Sequence, residues 1–322
     1  MLKTDISNNK RIFVALTYVC TAHCKKCITR YHKYVNKSMD YQTMMLTLEF
    51  LRKIDFKGIV VLGSGEPLTY SYLNEFIDGI LTINDTIRLE ILSNGKIFSN
   101  SSIRDNWIND RITFGITFDG FFQDELCDMQ VGVNIEAVKK QVTEFCKVYG
   151  GNNIYVNYTL NNYNKKSLKE YVYFANNNRI KAVYITPLKA FESVDAMVRE
   201  HILQDEELWV CMDKLQQVIE ENNISNVFMP QKETKPRWFC WKRDSANPII
   251  DIDGSITFCS GREEGIIGNI TCDDINEKWV EQISKLSDGQ CSKEWCEKCI
   301  SRNKDGIYIP SRDIYINLPK EE

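Results

Sequence analysis

The sequence predicts an α/β protein built on parallel strands. Two observations carry this: short β-branched or apolar runs alternate with amphipathic segments over the first 190 residues, and six such βα units follow one another in series. Repeated units of this kind imply parallel strands joined by right-handed crossovers, in a doubly wound sheet or in a full or partial barrel. In each of these arrangements ligand chemistry belongs at the C-terminal ends of the strands.

The candidate strands are 12–18 (IFVALTY), 58–63 (GIVVLG), 87–93 (IRLEILS), 111–118 (RITFGITF), 153–160 (NIYVNYTL) and 181–187 (KAVYITP). Between the fourth and fifth, Ile135, Val138, Val142, Phe145 and Tyr149 recur at spacings of three and four, which makes one apolar helix face. Met44, Leu48, Leu51 and Ile54 repeat the pattern between the first two strands. After residue 190 the pattern changes. A helix is expected over about 205–222, then a hairpin over 249–259 turning at Asp253-Gly254, a helix near 273–287 and a cysteine-rich tail. The expected organisation is a barrel domain over 1–190, a helical connector over 191–238 and a small module over 239–322.

Composition narrows the function. At 322 residues, 43% hydrophobic and 26% charged, the chain can bury a sizeable core, and a net charge of -4 offers no electrostatic footprint for nucleic acid or an acidic membrane. The basic run of Lys25, Lys26, Arg30, Lys33 and Lys37 reads as a solvated loop. The N-terminus lacks a secretory h-region and the longest apolar stretch, 12–20, is too short to span a bilayer, so a cytoplasmic location is expected. In a reducing compartment twelve cysteines argue for metal ligation or catalysis rather than disulfides.

Seven of those cysteines form two groups. Cys20, Cys24 and Cys27 fall within eight residues just past the first strand. A structural zinc site takes four ligands, whereas three thiolates on a four-iron cluster leave one iron open, so a site-differentiated [4Fe–4S] cluster fits this group better than zinc. Cys240, Cys259, Cys296 and Cys299 form the second group and suit either zinc or a fully ligated cluster. Cys211 and Cys146 read as core thiols, and Cys127, Cys272 and Cys291 have no assigned partner.

With CTAHCKKC at the mouth of a parallel-strand domain, the sequence resembles the radical S-adenosylmethionine (radical SAM) superfamily, whose signature is C-x3-C-x2-C after the first strand. GSGEPL (63–68) looks like the family's GGEP motif, LSNG (92–95) its SNG, GITFDG (115–120) its S-x-D-G, and 125–140 its following helical stretch. The C-terminal part is similar to the SPASM/twitch extension, in its one-cluster form: C-x13-G-x4-C (Cys240, Gly254, Cys259), IIGNI (266–270) and C-x2-C (296–299) come in the same order. The resemblance implies a partial (β/α)6 TIM-like barrel with a small hairpin and helix module. It also implies a SAM-binding [4Fe–4S] cluster on Cys20, Cys24 and Cys27, and an auxiliary [4Fe–4S] cluster on Cys240, Cys259, Cys296 and Cys299. Gly65 and Glu66 would meet the methionine end of SAM, while Ser93, Asn94 and Asp119 stand where ribose and carboxylate contacts are expected. The alternative for Glu66 and Asp119 is a strand-end cap or turn residue. The sequence departs from the family at Ser64 within the GGEP loop, at Lys26 where an aromatic residue often precedes the third cysteine, and at Gln130 where relatives place an arginine near the SAM carboxylate.

The chemistry so implied is reductive cleavage of SAM to methionine and a 5′-deoxyadenosyl radical, which takes hydrogen from a substrate; the electron would come from an external donor such as a flavodoxin or ferredoxin. Electron transfer through the auxiliary cluster would give a dehydrogenation; hydrogen return from a thiol, with Cys211, Cys272 and Cys291 as candidates, would give an epimerisation. Only about ten residues precede the first strand, which favours a small polyhydroxylated substrate of sugar or aminocyclitol type over a ribosomally made peptide. A zinc-stabilised, non-catalytic binding protein is the alternative from another class.

Overall fold

The computed structural model describes residues 5–126, 129–188, 196–232, 247–257, 265–287 and 307–308. Seven parallel strands run in simple sequence order: β1 (Arg11–Val14), β2 (Ile59–Leu62), β3 (Arg88–Ser93), β4 (Ile112–Thr117), β5 (Ile154–Leu160), β6 (Ala182–Pro187) and the short β7 (Val227–Phe228). That order decides between the architectures left open above. Right-handed crossovers that never reverse direction put every helix on the same side, so the sheet winds as a partial barrel rather than a doubly wound layer.

The two faces of the sheet differ as this geometry requires. Val14, Val60, Leu62, Ile91, Phe114, Ile116 and Val156 share one core with residues of the surrounding helices, among them Leu48, Ile77, Val142, Phe145 and Tyr171. Helix Ile135–Tyr149 begins at Asn134, whose side chain accepts from the Ala137 N–H, and ends at Gly150 with φ +80°. The alternate strand positions line the other face: Phe13, Ile59, Val61 and Leu92 pack together, as do Tyr155, Ala182, Tyr184 and Phe228. Towards the N-terminal end this inner face is plugged by a buried polar group, in which Glu90 receives Arg11 Nη1 at 2.5 Å and the Tyr155 hydroxyl. A Cβ on Gly115 would strike the Tyr155 ring, so glycine there is what lets that ring cross the lumen.

The hairpin expected over 249–259 joins this sheet. Its first strand, β9 (Ile249–Ile250), pairs in parallel with β1, and β10 (Ser255–Thr257) and β11 (Ile266–Asn269) extend the sheet antiparallel. A separate ladder joins β8 (Gln231–Lys232) to β12 (Ile307–Tyr308). Helix Ile275–Ser287 follows β11. Among the described residues no helix is long and apolar enough to cross a membrane.

Candidate active site

Three loops meet at the C-terminal ends of β1, β2 and β3. The first carries Cys20, Cys24 and Cys27, all free and partly exposed. It is closed by the Cys27 N–H to the Cys24 carbonyl at 3.2 Å and held by the His23 N–H to Val131 O at 2.8 Å. The second loop is clamped to the first through backbone: Gly65 N donates to Thr17 O and Glu66 N to Val19 O, both at 2.8 Å. A Cβ at Gly65 would collide with the carbonyl of Val19 and lie 2.7 Å from that of Thr17, so only glycine lets these loops approach. Ser64 sits beside it at φ +99°, backbone that costs a side-chain-bearing residue about 1–2 kcal/mol.

Glu66 is fully buried, with its carboxylate turned into the protein. It accepts from Leu68 N at 3.3 Å, Ser93 Oγ at 3.1 Å and Asn94 N at 2.9 Å, and burial pushes its carboxyl up to about 7 against these bonds. The cap reading raised for this residue describes its side chain, which leaves the loop backbone to meet a ligand. Ser93 is buried beneath the third loop and also accepts from Gly95 N at 3.0 Å. Asn94 reaches back to the first loop, directing its Nδ2 to Thr21 Oγ1 at 3.1 Å and to the sulfur of Cys20 at 3.5 Å.

Asp119 and Gln130 lie deeper, past the end of β4. Asp119 is fully buried; its Oδ1 accepts from Thr159 N at 2.8 Å and its Oδ2 meets the ammonium of Lys26. The Gln130 amide spans β4 backbone, accepting from Asp119 N at 2.9 Å and donating to Thr117 O at 2.8 Å. Lys26 departs from the solvated-loop reading: its side chain is 16% exposed and donates to Thr159 Oγ1 at 2.6 Å. Sequence marked Lys26 as unusual, but its partner is 93 positions away and carries no local signal.

Beside this ion pair, the inner wall at the ends of β4, β5 and β6 carries uncharged polar side chains. Register sets Thr117 beside Asn157 and Asn157 beside Tyr184, with Thr159 beside Thr186. Asn157 Nδ2 contacts Thr117 Oγ1 at 3.2 Å, while its buried Oδ1 meets no partner. Only the two-residue periodicity of the strands hinted at this wall.

Three reduced thiols on one loop, with an amide aimed at one sulfur, make a donor set suited to an iron–sulfur cluster. Burial pushes the Cys24 thiol up to about 12, against the pull of the Lys26 ammonium, and raises that of Cys20, so loading a metal must displace protons. Among the described residues no three His, Cys, Asp or Glu side chains are placed to hold a single metal ion. Cys127, Cys240, Cys259, Cys291, Cys296 and Cys299 lie outside the described residues. Cys146, Cys211 and Cys272 are partly buried against the main core.

A partial barrel whose first strand delivers three cysteines to its mouth, beside two glycine-containing loops, defines a class of fold and site. No protein-family profile and no curated protein matches the sequence, but solved structures do. SuiB of Streptococcus suis, bound to precursor peptide SuiA, aligns with a TM-score of 0.69 at 15% identity, over 89% of this chain and 67% of that one. The protein anSMEcpe, with bound AdoMet and Cp18Cys peptide, aligns with a TM-score of 0.67 at 13% identity, over 92% and 88%. BtrN in complex with AdoMet and 2-DOIA gives 0.50 at 15% identity, over 92% of each chain. The fold of this chain is that of the radical SAM enzymes, as its ordered motifs imply.

Proposed function

We propose that this chain is a radical SAM enzyme whose cluster is held by Cys20, Cys24 and Cys27 and whose substrate enters the barrel lumen. The observation that carries the reading is the placement of three free thiols on one loop at the C-terminal mouth, with the Asn94 amide directed at Cys20. When bound there, a [4Fe–4S] cluster with one iron open to S-adenosylmethionine supplies one-electron cleavage of the sulfonium, giving methionine and a 5′-deoxyadenosyl radical that takes hydrogen from substrate. The protein contributes orientation and exclusion of water. Gly65 lets the loop after β2 close on the backbone of Thr17 and Val19, and we assign the methionine end of SAM to this pair of loops. Glu66, Ser93 and Asp119 hold the surrounding loops rigid through their hydrogen bonds. The plug of Arg11, Glu90 and Tyr155 closes the far end of the lumen.

For the substrate we favour a small polyhydroxylated molecule. The wall of Thr117, Asn157 and Thr186 offers hydroxyl and amide groups without net charge, which suits a substrate rich in hydroxyls. A peptide substrate is the second reading, supported by the higher TM-scores of SuiB and anSMEcpe, both solved with peptides. The auxiliary cluster assigned to Cys240, Cys259, Cys296 and Cys299 belongs to the proposal, as does an external donor such as a flavodoxin or ferredoxin. Dehydrogenation needs the auxiliary cluster to accept an electron; epimerisation needs a thiol hydrogen donor.

The test is anaerobic reconstitution with iron and sulfide, then incubation with SAM, a reductant and deuterated candidate substrates. About eight irons per chain, reductive formation of 5′-deoxyadenosine and deuterium in that product are expected. Tight zinc binding without SAM cleavage would overturn the proposal.

A further inference from the structure

Lys26 sits in the short turn between the second and third cysteine, and its chain turns inward to the ends of β4 and β5. There its ammonium meets Asp119 Oδ2 and donates to Thr159 Oγ1. The receiving carboxylate is fixed from every side. Its Oδ1 accepts from Thr159 N, while the Asp119 backbone donates to Gln130 Oε1 at 2.9 Å and accepts from Asn164 Nδ2 at 2.7 Å. A fixed, buried anion therefore captures a long, flexible cation from the cysteine loop.

Stability alone is a poor explanation for such a pair. Desolvating two charges costs several kcal/mol per ion, and apolar residues of similar volume often serve a fold as well. An ion pair supplies two things that apolar packing does not: one register for the segments it joins, and a directed field. Lys26 stands between Cys24 and Cys27 in the chain, so the pair is carried on the thiol loop itself.

We propose that Lys26 is a positioning residue of the reaction centre: it latches the cysteine loop to β4 and β5, and its cation makes a cluster held on that loop easier to reduce. The second half rests on the function proposed above; the latch does not. A cation beside an iron–sulfur centre stabilises the reduced, more negative state, and an anion opposes it. Opposite partners of one pair should therefore move the potential in opposite directions, although losing either one frees the loop.

The experiment uses Lys26→Met, Lys26→Arg, Asp119→Asn and the Lys26→Met/Asp119→Asn double variant. In the cluster-free chain, hydrogen exchange across residues 20–31 should quicken about tenfold or more in both single charge-removing variants and stay near wild type in Lys26→Arg. In reconstituted protein, the midpoint potential followed by EPR should fall in Lys26→Met, rise in Asp119→Asn and return towards wild type in the double variant. Unchanged exchange in Lys26→Met overturns the latch. Potentials that move together, or not at all, overturn the electrostatic role. A wild-type chain that assembles no cubane cluster counts against the proposed function, and the exchange measurement then decides the latch by itself.

Discussion

Glu66 and Asn94 meet across the barrel mouth: the carboxylate on the loop after β2 accepts the backbone N–H on the loop after β3 at 2.9 Å. Because burial raises the Glu66 carboxyl from 4.5 to about 7, the folded chain keeps a proton that the unfolded chain has released between those values. Its contribution to stability is full below pH 4.5, declines as pH rises through the window and is lost above 7, a span of about 3 kcal/mol at most. Glu66→Gln should abolish this slope. Urea unfolding of both proteins from pH 4.5 to 8 should show wild type losing stability relative to the variant; parallel curves would mean that the carboxyl is not raised.

The neighbouring loop makes a paired prediction about two adjacent positions. Gly65→Ala forces a Cβ into the carbonyls of Thr17 and Val19, backbone that has little room to yield, and should cost about 2 kcal/mol. Ser64→Gly relaxes a residue held at φ +99° and should stabilise by about 1 kcal/mol. Thermal unfolding should place the two variants on opposite sides of wild type.

Gln130 tests a brace: its amide ties Asp119 N to Thr117 O at the position where the radical SAM pattern it resembles has an arginine. Gln130→Leu leaves Asp119 N and Thr117 O without the partners they have now. Two orphaned backbone groups predict a loss of about 2 kcal/mol or more in chemical denaturation. A variant as stable as wild type, yet weak in SAM binding, would give Gln130 to the ligand instead.

Replacing Cys20, Cys24 and Cys27 together by alanine separates the two proposed clusters. Iron should drop from about eight to about four per chain and SAM cleavage should vanish, while the absorbance of the remaining cluster persists. Loss of all iron would mean that the cysteine groups have been wrongly divided.

Most of the barrel is legible in sequence because strand periodicity and strand-end chemistry are local. The run expected at 111–118 is β4 at Ile112–Thr117, and 153–160 is β5 at Ile154–Leu160. The helix face beginning at Ile135 ends at Tyr149 as its spacing predicts. The first strand reads too long: past Val14 the chain leaves β2, with Tyr18 N donating to Lys37 O and Met39 N to Leu16 O. The three cysteines announce themselves by spacing, whereas the roles of their neighbours do not. Glu66 and Asp119 carry a family pattern in sequence, but only tertiary placement reveals that their carboxylates bind protein. Lys26 looks like one more cation in a basic run until Asp119 is found beneath it.

The pairing of β9 with β1 bears on how the chain folds. The N–H groups of Phe13 and Ala15 donate to Pro248 and Ile250, so the strand that delivers the cysteine loop is completed by residues more than 230 positions later. During synthesis one edge of β1 stays unsatisfied until that distant segment emerges, a closure of high contact order and a bare edge open to wrong partners. The cysteine loop follows that strand, and on this topology we expect the barrel mouth to become rigid only once the distant segment has docked. A cofactor inserted before residue 250 has docked would meet a site still waiting for its wall.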